Sequence, residues 1–282
     1  MMPARWRWWA VVRRQMIIFG VLAVMLVAAL WWFQAKLIYH PRPYAADMLQ
    51  RLPTGLAPLV VETRQGTQSG FYRRPRVEIP LPARIWLMFN GNAAQALDWT
   101  SFIAGHPRDD EAFLLVDYPG YGACAGQPSP VAILDSCDAL VEALARLHNV
   151  DVDVLRPRIA VLGHSLGCAA ALQYAAKRGA ERIVLIAPFT SLMAMARRVV
   201  GWPLCLVLTH RFDNRARLAA IAATGLPPTT IIHGDADEVI PIAMSRALAA
   251  EFPGIVLNEV KDGDHNGVVD IAEPLIHAAM AR

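Results

Sequence analysis

The sequence has few cysteines, and their arrangement excludes several classes of protein. The chain of 282 residues has four cysteines, which form no C-x-x-C pair and show no spacing typical of metal ligands. We therefore expect no metal and no cofactor, and free thiols are the default interpretation. Cys124 and Cys137 could pair if the domain faces an oxidising compartment. Cys168 is expected to be a small buried residue.

Charged residues are also scarce, at 18% of the chain, and they form no basic patch interleaved with aromatic side chains. The formal net charge is +3. Basic residues around the first apolar segment more than account for this excess: Arg5, Arg7, Arg13, Arg14 and Lys36. The rest of the chain therefore carries a small negative charge, and a nucleic-acid-binding surface is not expected.

Apolar residues are abundant instead, at 55% of the chain, and they form one long run at residues Met16–Phe33. A helix over this uncharged run would be about 27 Å long, which is enough to cross the core of a bilayer. Tryptophans flank the run as an interfacial belt requires: Trp6, Trp8 and Trp9 before it, Trp31 and Trp32 at its end. The sequence predicts membrane association through residues 16–33.

The basic residues also predict an orientation for this helix. Four arginines precede the run in residues 1–15, whereas Lys36 and Arg42 are the nearest basic residues after it. The positive-inside rule then places the N-terminus in the cytoplasm and the rest of the chain on the opposite, periplasmic or extracytoplasmic side. A cleaved secretory signal shares these features, but the bulky Leu30–Phe33 segment without an A-x-A site favours an uncleaved signal-anchor.

The remaining chain predicts an α/β fold after a Pro-rich juxtamembrane linker at residues 34–58. Residues 59–282 alternate strand-like runs with helical patterns, without internal repeats. Most of the runs are continuously apolar, which is typical of parallel strands covered on both faces, so a doubly wound, mostly parallel sheet is predicted. The predicted strands are Arg84–Phe89, Phe113–Asp117, Arg158–Leu162, Arg182–Ala187, Thr229–His233 and Ile255–Val260, with edge strands at Val60–Arg64 and Gly70–Arg73. The predicted helices are Pro130–His148, Leu166–Arg178, Pro241–Glu251 and Val268–Ala281.

Residues 191–226 are longer than a simple crossover between two strands. They predict a small cap insertion at the end of the sheet where active sites form. Its apolar residues could belong to the core, or they could line an acyl-binding pocket.

Gly163-His164-Ser165-Leu166-Gly167 is the most informative motif. It follows an apolar strand and precedes a helix rich in small residues. G-x-S-x-G in this context is a nucleophile elbow, a strained turn that lifts the serine hydroxyl out of the sheet. Ser165 is therefore the predicted nucleophile; the alternative is an ordinary turn in which Ser165 caps the helix.

A serine nucleophile needs a base, and the base needs an acid that orients it. Asp237 lies in the loop after the predicted strand at Thr229–His233 and is the predicted acid, with Asp235 and Glu238 as rivals. His265 lies in the loop after the last predicted strand and is the predicted base. The order Ser, Asp, His is that of the α/β-hydrolase triad.

Two backbone N–H groups are needed to bind the charge that develops on the substrate oxygen. The N–H of Leu166, directly after the nucleophile, is the first predicted oxyanion donor. The second is the N–H of Asn92, in the loop that follows the strand at Arg84–Phe89. We expect the loop Asp117–Gly122 to shape the site rather than react.

These motifs together resemble the membrane-anchored α/β-hydrolases with one N-terminal span. The resemblance covers nearly the whole chain and rests on these segments: Leu37–Pro41, Gly91–Ala93, Asp117–Tyr118, Gly120–Gly122, Gly163–Gly167, Phe189–Leu192, Asp237 and His265–Asn266. It implies an α/β-hydrolase fold and a serine hydrolase that acts on esters, thioesters or amides. Asn90 and Pro119 depart from the usual histidine and arginine of the family motifs, but the oxyanion donors are backbone amides and survive both changes.

The sequence thus predicts a membrane-tethered serine hydrolase that cleaves carboxylic esters or thioesters of lipid-like acyl groups through an acyl-enzyme. A serine peptidase or aminopeptidase of the same fold is the alternative enzyme. A non-catalytic, membrane-anchored binding module on a hydrolase scaffold is the alternative from another class.

Overall fold

The computed structural model describes residues 4–45 and 47–281 and contains one sheet of eight strands. The strand order is β1-β2-β4-β3-β5-β6-β7-β8. Strand β2 pairs antiparallel with β1 and β4, and every other pair is parallel. The strands are β1 (Leu56–Thr63), β2 (Gly66–Arg73), β3 (Arg84–Phe89), β4 (Glu111–Val116), β5 (Ile159–His164), β6 (Ile183–Ile186), β7 (Thr229–Gly234) and β8 (Ile255–Val260). The doubly wound, mostly parallel sheet is therefore confirmed.

Ten α-helices lie in the described part of the chain. They are α1 (Ala4–Ile38), α2 (Thr100–Ala104), α3 (Pro130–Leu147), α4 (Val152–Leu155), α5 (Leu166–Arg178), α6 (Leu192–Val200), α7 (Asn214–Ala222), α8 (Ala243–Glu251), α9 (Val268–Ile271) and α10 (Glu273–Ala281). Short 3-10 turns occur at Met48–Gln50, Ala96–Trp99, Arg156–Arg158 and Leu204–Val207. The pattern predicted at Val268–Ala281 is divided into two helices, α9 and α10.

Helices cover both faces of the sheet and produce two apolar core clusters. Along β3, Ile85, Leu87 and Phe89 belong to one cluster, whereas Trp86 and Met88 belong to the other. The first cluster includes residues of α3, α5, α7 and α8, and the second includes residues of α2, α9 and α10. Both faces of a central strand are buried, which explains why its sequence is continuously apolar rather than alternating.

Helix α1 extends well beyond the apolar run Met16–Phe33 and is exposed over most of its length. Its segment Val11–Ile38 is a candidate membrane span of 28 residues, and none of its most apolar window is buried inside the protein. The side chains of Trp8, Trp9, Trp31 and Trp32 are exposed. The side chains of Arg5, Trp6 and Arg7, and residues 1–3, lie outside the described residues.

The segment after α1 is fixed to the domain rather than loosely extended. Pro43 forms a β-bridge with Gly122. The backbone carbonyl of Arg42 accepts a hydrogen bond from the N–H of Gly122, and its Nη1 donates one to the carbonyl of Ala93. Tyr39 is only 2% exposed. We call residues 39–44 the strap, because they cross the loops that follow β3 and β4.

The predicted insertion at 191–226 contains two different parts. Helix α7 packs on α5, and Leu218 and Ile221 are buried in the first core cluster, as in an ordinary crossover helix. Helix α6 and the 3-10 turn Leu204–Val207 instead stand beside the end of α1. We call residues 191–213 the cap.

Candidate active site

Ser165 occupies a strained turn between β5 and α5. Its φ is 55° and its ψ is −117°, a conformation that side-chain-bearing residues rarely adopt. A Cβ atom on Gly163 would lie 2.3 Å from the carbonyl oxygen of Gly167, and one on Gly167 would lie 2.2 Å from that of Phe89. The backbone therefore approaches too closely for any residue except glycine at both positions, as a nucleophile elbow requires.

The three residues of the predicted triad meet at the carboxyl ends of neighbouring parallel strands. Ser165 follows β5, Asp237 follows β7 and His265 follows β8. Nε2 of His265 lies 2.9 Å from Oγ of Ser165, and Nδ1 of His265 lies 2.7 Å from Oδ2 of Asp237. Since Nδ1 faces a carboxylate, its proton lies there, and the lone pair of Nε2 faces the serine hydroxyl. This geometry can transfer the hydroxyl proton to the imidazole.

Asp237 is held as a carboxylate by its surroundings. Its Oδ1 accepts hydrogen bonds from the N–H groups of Val239 and Ile240. Burial favours the protonated acid, but hydrogen bonds from His233, His265 and the Ile240 amide outweigh it and hold the pKa of Asp237 below its usual range. The acid therefore stays ionised beside His265 at neutral pH.

The two rival acids lie elsewhere. The side chain of Asp235 is exposed and accepts a hydrogen bond from the backbone N–H of Asp262 at 2.7 Å, which ties its loop to the loop after β8. Glu238 is exposed. Of the three carboxylates considered, the structure brings Asp237 to His265.

Two further histidines support the triad, and the sequence interpretation assigned neither of them. His233, at the end of β7, is fully buried; its Nε2 lies 2.9 Å from the carbonyl oxygen of Ile240 and 3.2 Å from Oδ2 of Asp237. Nε2 of His164 lies 2.9 Å from the carbonyl oxygen of His265. Burial, with a smaller effect of the neighbouring His265, lowers the pKa of His164 to about 4. His164 is thus neutral at pH 7 and donates from Nε2 to the carbonyl of His265.

The predicted oxyanion donors border the same space. Leu166 is the first residue of α5, so its N–H has no acceptor within the helix. Asn92 follows β3, and both residues line the cavity above Ser165. The side chain of Asn92 is fixed: its Oδ1 accepts from the Tyr121 hydroxyl at 2.8 Å and the His40 amide at 3.0 Å, and its Nδ2 donates to the Ile38 carbonyl at 2.7 Å. The strap, Tyr121 and the end of α1 therefore hold the Asn92 loop.

The two departures from the family motifs fit their positions. Nδ2 of Asn90 donates to the carbonyl of Val116 at 2.8 Å, and the main-chain carbonyl of Asn90 accepts from the Tyr118 hydroxyl at 2.7 Å, so Asn90 joins the β3 loop to the β4 loop. Pro119 is the second residue of a turn in which the N–H of Tyr121 donates to the carbonyl of Tyr118 at 2.8 Å. Gly120 in that turn has a φ of 83°, as a type II turn with proline before it requires.

A cavity of about 770 Å³ opens above Ser165, and its walls are mostly apolar. Side chains of the cap form one wall, and the end of α1 forms another. A cavity of this size accommodates an organic group of the size of a drug or a fatty acyl chain.

Replacing Gly167 with alanine is expected to destabilise the elbow strongly. The added Cβ would meet the backbone oxygens of Phe89 and Asn90 at 2.2 Å and 2.6 Å, which cannot move aside as a side chain can. We expect a loss of about 3 kcal/mol in unfolding free energy, or a Tm lowered by roughly 6–12 °C in detergent solution. Gly254→Ala is the matched control, because its Cβ would meet only Cδ2 of Leu226 at 3.1 Å. Similar Tm values for both variants would contradict the packing argument.

Replacing Tyr121 with phenylalanine tests whether the side chain of Asn92 matters for the oxyanion loop. The variant removes the hydroxyl that donates a hydrogen bond to Oδ1 of Asn92 and accepts a hydrogen bond from the His40 amide. We expect kcat to fall by about tenfold, because a loosened donor costs more in the transition state than in substrate binding. Tyr72→Phe is the control: this buried tyrosine bonds Nε2 of His148 instead. An equal effect of both variants on kcat would argue against a role for the Asn92 loop.

The strand order, the elbow after β5 and the loops after β7 and β8 define an α/β-hydrolase fold. Comparison with known families agrees: the model of the "Alpha/beta hydrolase family" matches residues 86–262. The chain belongs to this family and is a hydrolase by that membership. Its mostly parallel sheet, covered by helices on both faces, is the doubly wound architecture that the sequence predicted.

Relatives share the sequence of this chain, and solved structures share its fold. The chain is 31% identical over 238 residues to "Uncharacterized protein Rv2307c" of Mycobacterium tuberculosis, covering 83% of this chain and 80% of the relative. It is 24% identical over 236 residues to "Uncharacterized protein YfhR" of Escherichia coli K12, covering 81% and 76%. Among solved structures, the esterase Pf2001 of Pyrococcus furiosus has a TM-score of 0.63 at 13% identity, covering 87% of this chain and 97% of the esterase. An esterase domain from Rhodothermus marinus has a TM-score of 0.56 at 16% identity, covering 80% and 96%.

Proposed function

We propose that this protein is a membrane-tethered serine hydrolase that cleaves carboxylic esters or thioesters of lipid-like acyl groups. Ser165 is the nucleophile, His265 the general base and Asp237 the orienting acid. The observation that supports the proposal most is the position of the His265 ring, within hydrogen-bond distance of both Ser165 Oγ and Asp237 Oδ2. The esterases among the structural neighbours support it as well.

In the first half of the reaction, Oγ of Ser165 attacks the carbonyl carbon of the ester. The hydroxyl proton moves to Nε2 of His265, and the imidazolium is stabilised by the ionised Asp237. His265 then gives this proton to the leaving oxygen or sulfur as the bond to the acyl carbon breaks. The product of this half-reaction is an acyl-Ser165 ester and a free alcohol or thiol.

In the second half, water replaces the alcohol. His265 accepts a proton from the water while the water oxygen bonds to the acyl carbon. The bond to Oγ then breaks, and the proton returns to Ser165. In both halves the backbone N–H groups of Leu166 and Asn92 bind the oxyanion, and preorganised donors of this kind contribute about 3–4 kcal/mol each.

The apolar cavity supports the preference for acyl groups. Apart from Phe189 and the loops that carry the triad and the oxyanion donors, its walls come from α1 and the cap, whose lining side chains include Leu37, Leu192 and Met195. Such walls bury hydrocarbon favourably, at about 25 cal/mol for each Å² removed from water.

Labelling with a fluorophosphonate probe tests this function directly. The probe forms a covalent bond with an activated serine, so we expect the folded wild-type protein to be labelled and mass spectrometry to locate the adduct on Ser165. Heat-denatured protein is the control for reactivity that does not depend on the site. A folded protein that stays unlabelled, or an adduct on another serine, would contradict the proposal.

We further propose that α1 anchors the protein through residues 16–33, with residues 1–15 in the cytoplasm and the hydrolase domain, residues 59–282, on the other side. The length and exposure of Val11–Ile38 support the anchor, and the four arginines before Met16 support this orientation. An alkaline phosphatase reporter fused after Lys36 is expected to be active, because this enzyme folds only outside the cytoplasm. A reporter of green fluorescent protein fused at the same position should be dark; the reverse result would contradict the orientation.

A further inference from the structure

Helix α1 forms one wall of the cavity above Ser165. Leu30, Gln34 and Leu37 of α1 line the same cavity as Ser165 and His265. Opposite them stand side chains of the cap, among them Ala196 and Val200 of α6. The candidate membrane span and the candidate active site therefore share one continuous apolar space.

Polar contacts fix this wall in place. Oε1 of Gln34 accepts hydrogen bonds from the backbone N–H and the hydroxyl of Thr209 in the cap, at 2.7 Å and 2.9 Å. Its Nε2 donates to the carbonyl of Trp31 at 2.8 Å. The hydroxyl of Tyr39 lies 3.2 Å from Nδ1 of His210. The end of α1 and the cap are thus held together by hydrogen bonds to the buried side chains of Gln34 and Tyr39, so the gap between them has a defined shape.

The gap reaches into the run that is proposed to span the bilayer. Leu30 belongs to the uncharged run Met16–Phe33 and lies one helical turn, about 6 Å, from Gln34 toward the centre of that run. Trp31 and Trp32 are 55% and 73% exposed beside it, and on the cap Trp202 is 72% exposed. Tryptophans at this level are typical of the boundary between lipid and water. Val199 and Leu206 of the cap are exposed apolar residues as well.

From this arrangement we propose that the substrate is an ester or thioester whose long acyl chain enters from the bilayer, between the end of α1 and the cap. The chain lies along Leu30 and Leu37 on one side and along Ala196 and Val200 on the other. The carbonyl carbon then reaches Ser165 while the rest of the chain stays in an apolar environment, so it never crosses water. This assignment of the substrate rests on the proposed serine hydrolase function.

Reconstitution of the full-length protein in phosphatidylcholine vesicles tests the proposal. Two esters are compared: p-nitrophenyl palmitate mixed into the bilayer, and p-nitrophenyl butyrate supplied in the water. Leu30→Trp and Ala196→Trp narrow the gap from its two sides. We expect each to lower the ratio of the palmitate rate to the butyrate rate by at least about tenfold. Met25→Trp, on the same helix but not lining the cavity, should leave the ratio unchanged.

The route of entry is tested by surface dilution. When inert phosphatidylcholine is added at constant bulk palmitate ester, the rate should fall in proportion to the mole fraction of ester in the vesicles. A rate that follows only bulk concentration, or a rate ratio unchanged in both tryptophan variants, would overturn the proposal while butyrate hydrolysis still supported the proposed function. A wild-type protein that hydrolyses neither ester would overturn both.

Discussion

Replacing Ser165 with alanine is expected to lower kcat/KM for any ester substrate by at least about 10⁴-fold while leaving the fold intact. The hydroxyl is the only group at the elbow that His265 can activate, and alanine fits where the serine Cβ already stands. The loss of the bond to Nε2 of His265 costs little stability, because this nitrogen lies beside the open cavity. Steady-state kinetics and the Tm of both proteins check the two halves of this prediction.

Ser129→Ala is the matched control for this substitution. Ser129 caps α3, and its Oγ accepts a hydrogen bond from the N–H of Ala132 at 3.1 Å. Losing a helix cap costs about 1 kcal/mol of stability but touches nothing in the cavity. We therefore expect Ser129→Ala to lower the Tm slightly with full activity. If Ser165→Ala kept more than about a hundredth of the wild-type kcat/KM, the acyl-enzyme mechanism would be wrong.

The central sheet could be predicted from the sequence because its signal is local. The central parallel strands, unlike the edge strand β8, are buried on both faces, so their residues form largely apolar runs such as Arg84–Phe89, and the observed β3 has those bounds. The same holds for α5, whose start follows directly from the elbow. The pattern that predicts each of these elements lies in consecutive residues, so it can be recognised in the sequence alone.

The strap and the supporting histidines could not be predicted, because their roles depend on pairing between distant segments. The Pro-rich composition of residues 34–58 is typical of a linker, yet the His40 amide bonds Asn92, 52 residues away. Nothing beside His164 in the sequence indicates that its ring will contact the carbonyl of His265, 101 residues away. The residues around His233 do not indicate that its ring will contact Asp237. Its position at the end of a predicted buried strand, where active sites form, was the one signal that could have marked it.

The predicted cap boundary illustrates the same limit. The length of residues 191–226 predicted an insertion. The division between the cap and the crossover helix α7 depends on which apolar side chains pack against the core and which stay exposed. Leu218 is fully buried, whereas Val199 is 80% exposed. In the sequence both are aliphatic residues, and nothing there distinguishes the buried one from the exposed one. The role of the cap residues as a cavity wall is visible only in the structure, where α1 lies beside them.

Replacing Asp237 with asparagine is expected to lower kcat/KM by about 10⁴-fold, which makes it the sharpest test of how the base is oriented. Oδ1 accepts from the amides of Val239 and Ile240, and Oδ2 accepts from His265 and faces His233. Both oxygens are therefore acceptors. The asparagine NH₂ must replace one of them, and opposite His265 it favours the imidazole tautomer with its proton on Nε2. That tautomer cannot accept a proton from Ser165.

Asp235→Asn is the matched control, since it changes the same kind of side chain two residues away. Asp235 is exposed and holds only the amide of Asp262, which the carbonyl of asparagine also accepts. We expect its kcat/KM to stay within about threefold of the wild type, because no group of the triad changes its partner. The reverse pattern, with Asp235→Asn inactive and Asp237→Asn active, would assign the acid to Asp235. A similar loss in both variants would mean that the loop after β7 acts through its conformation rather than through one carboxylate.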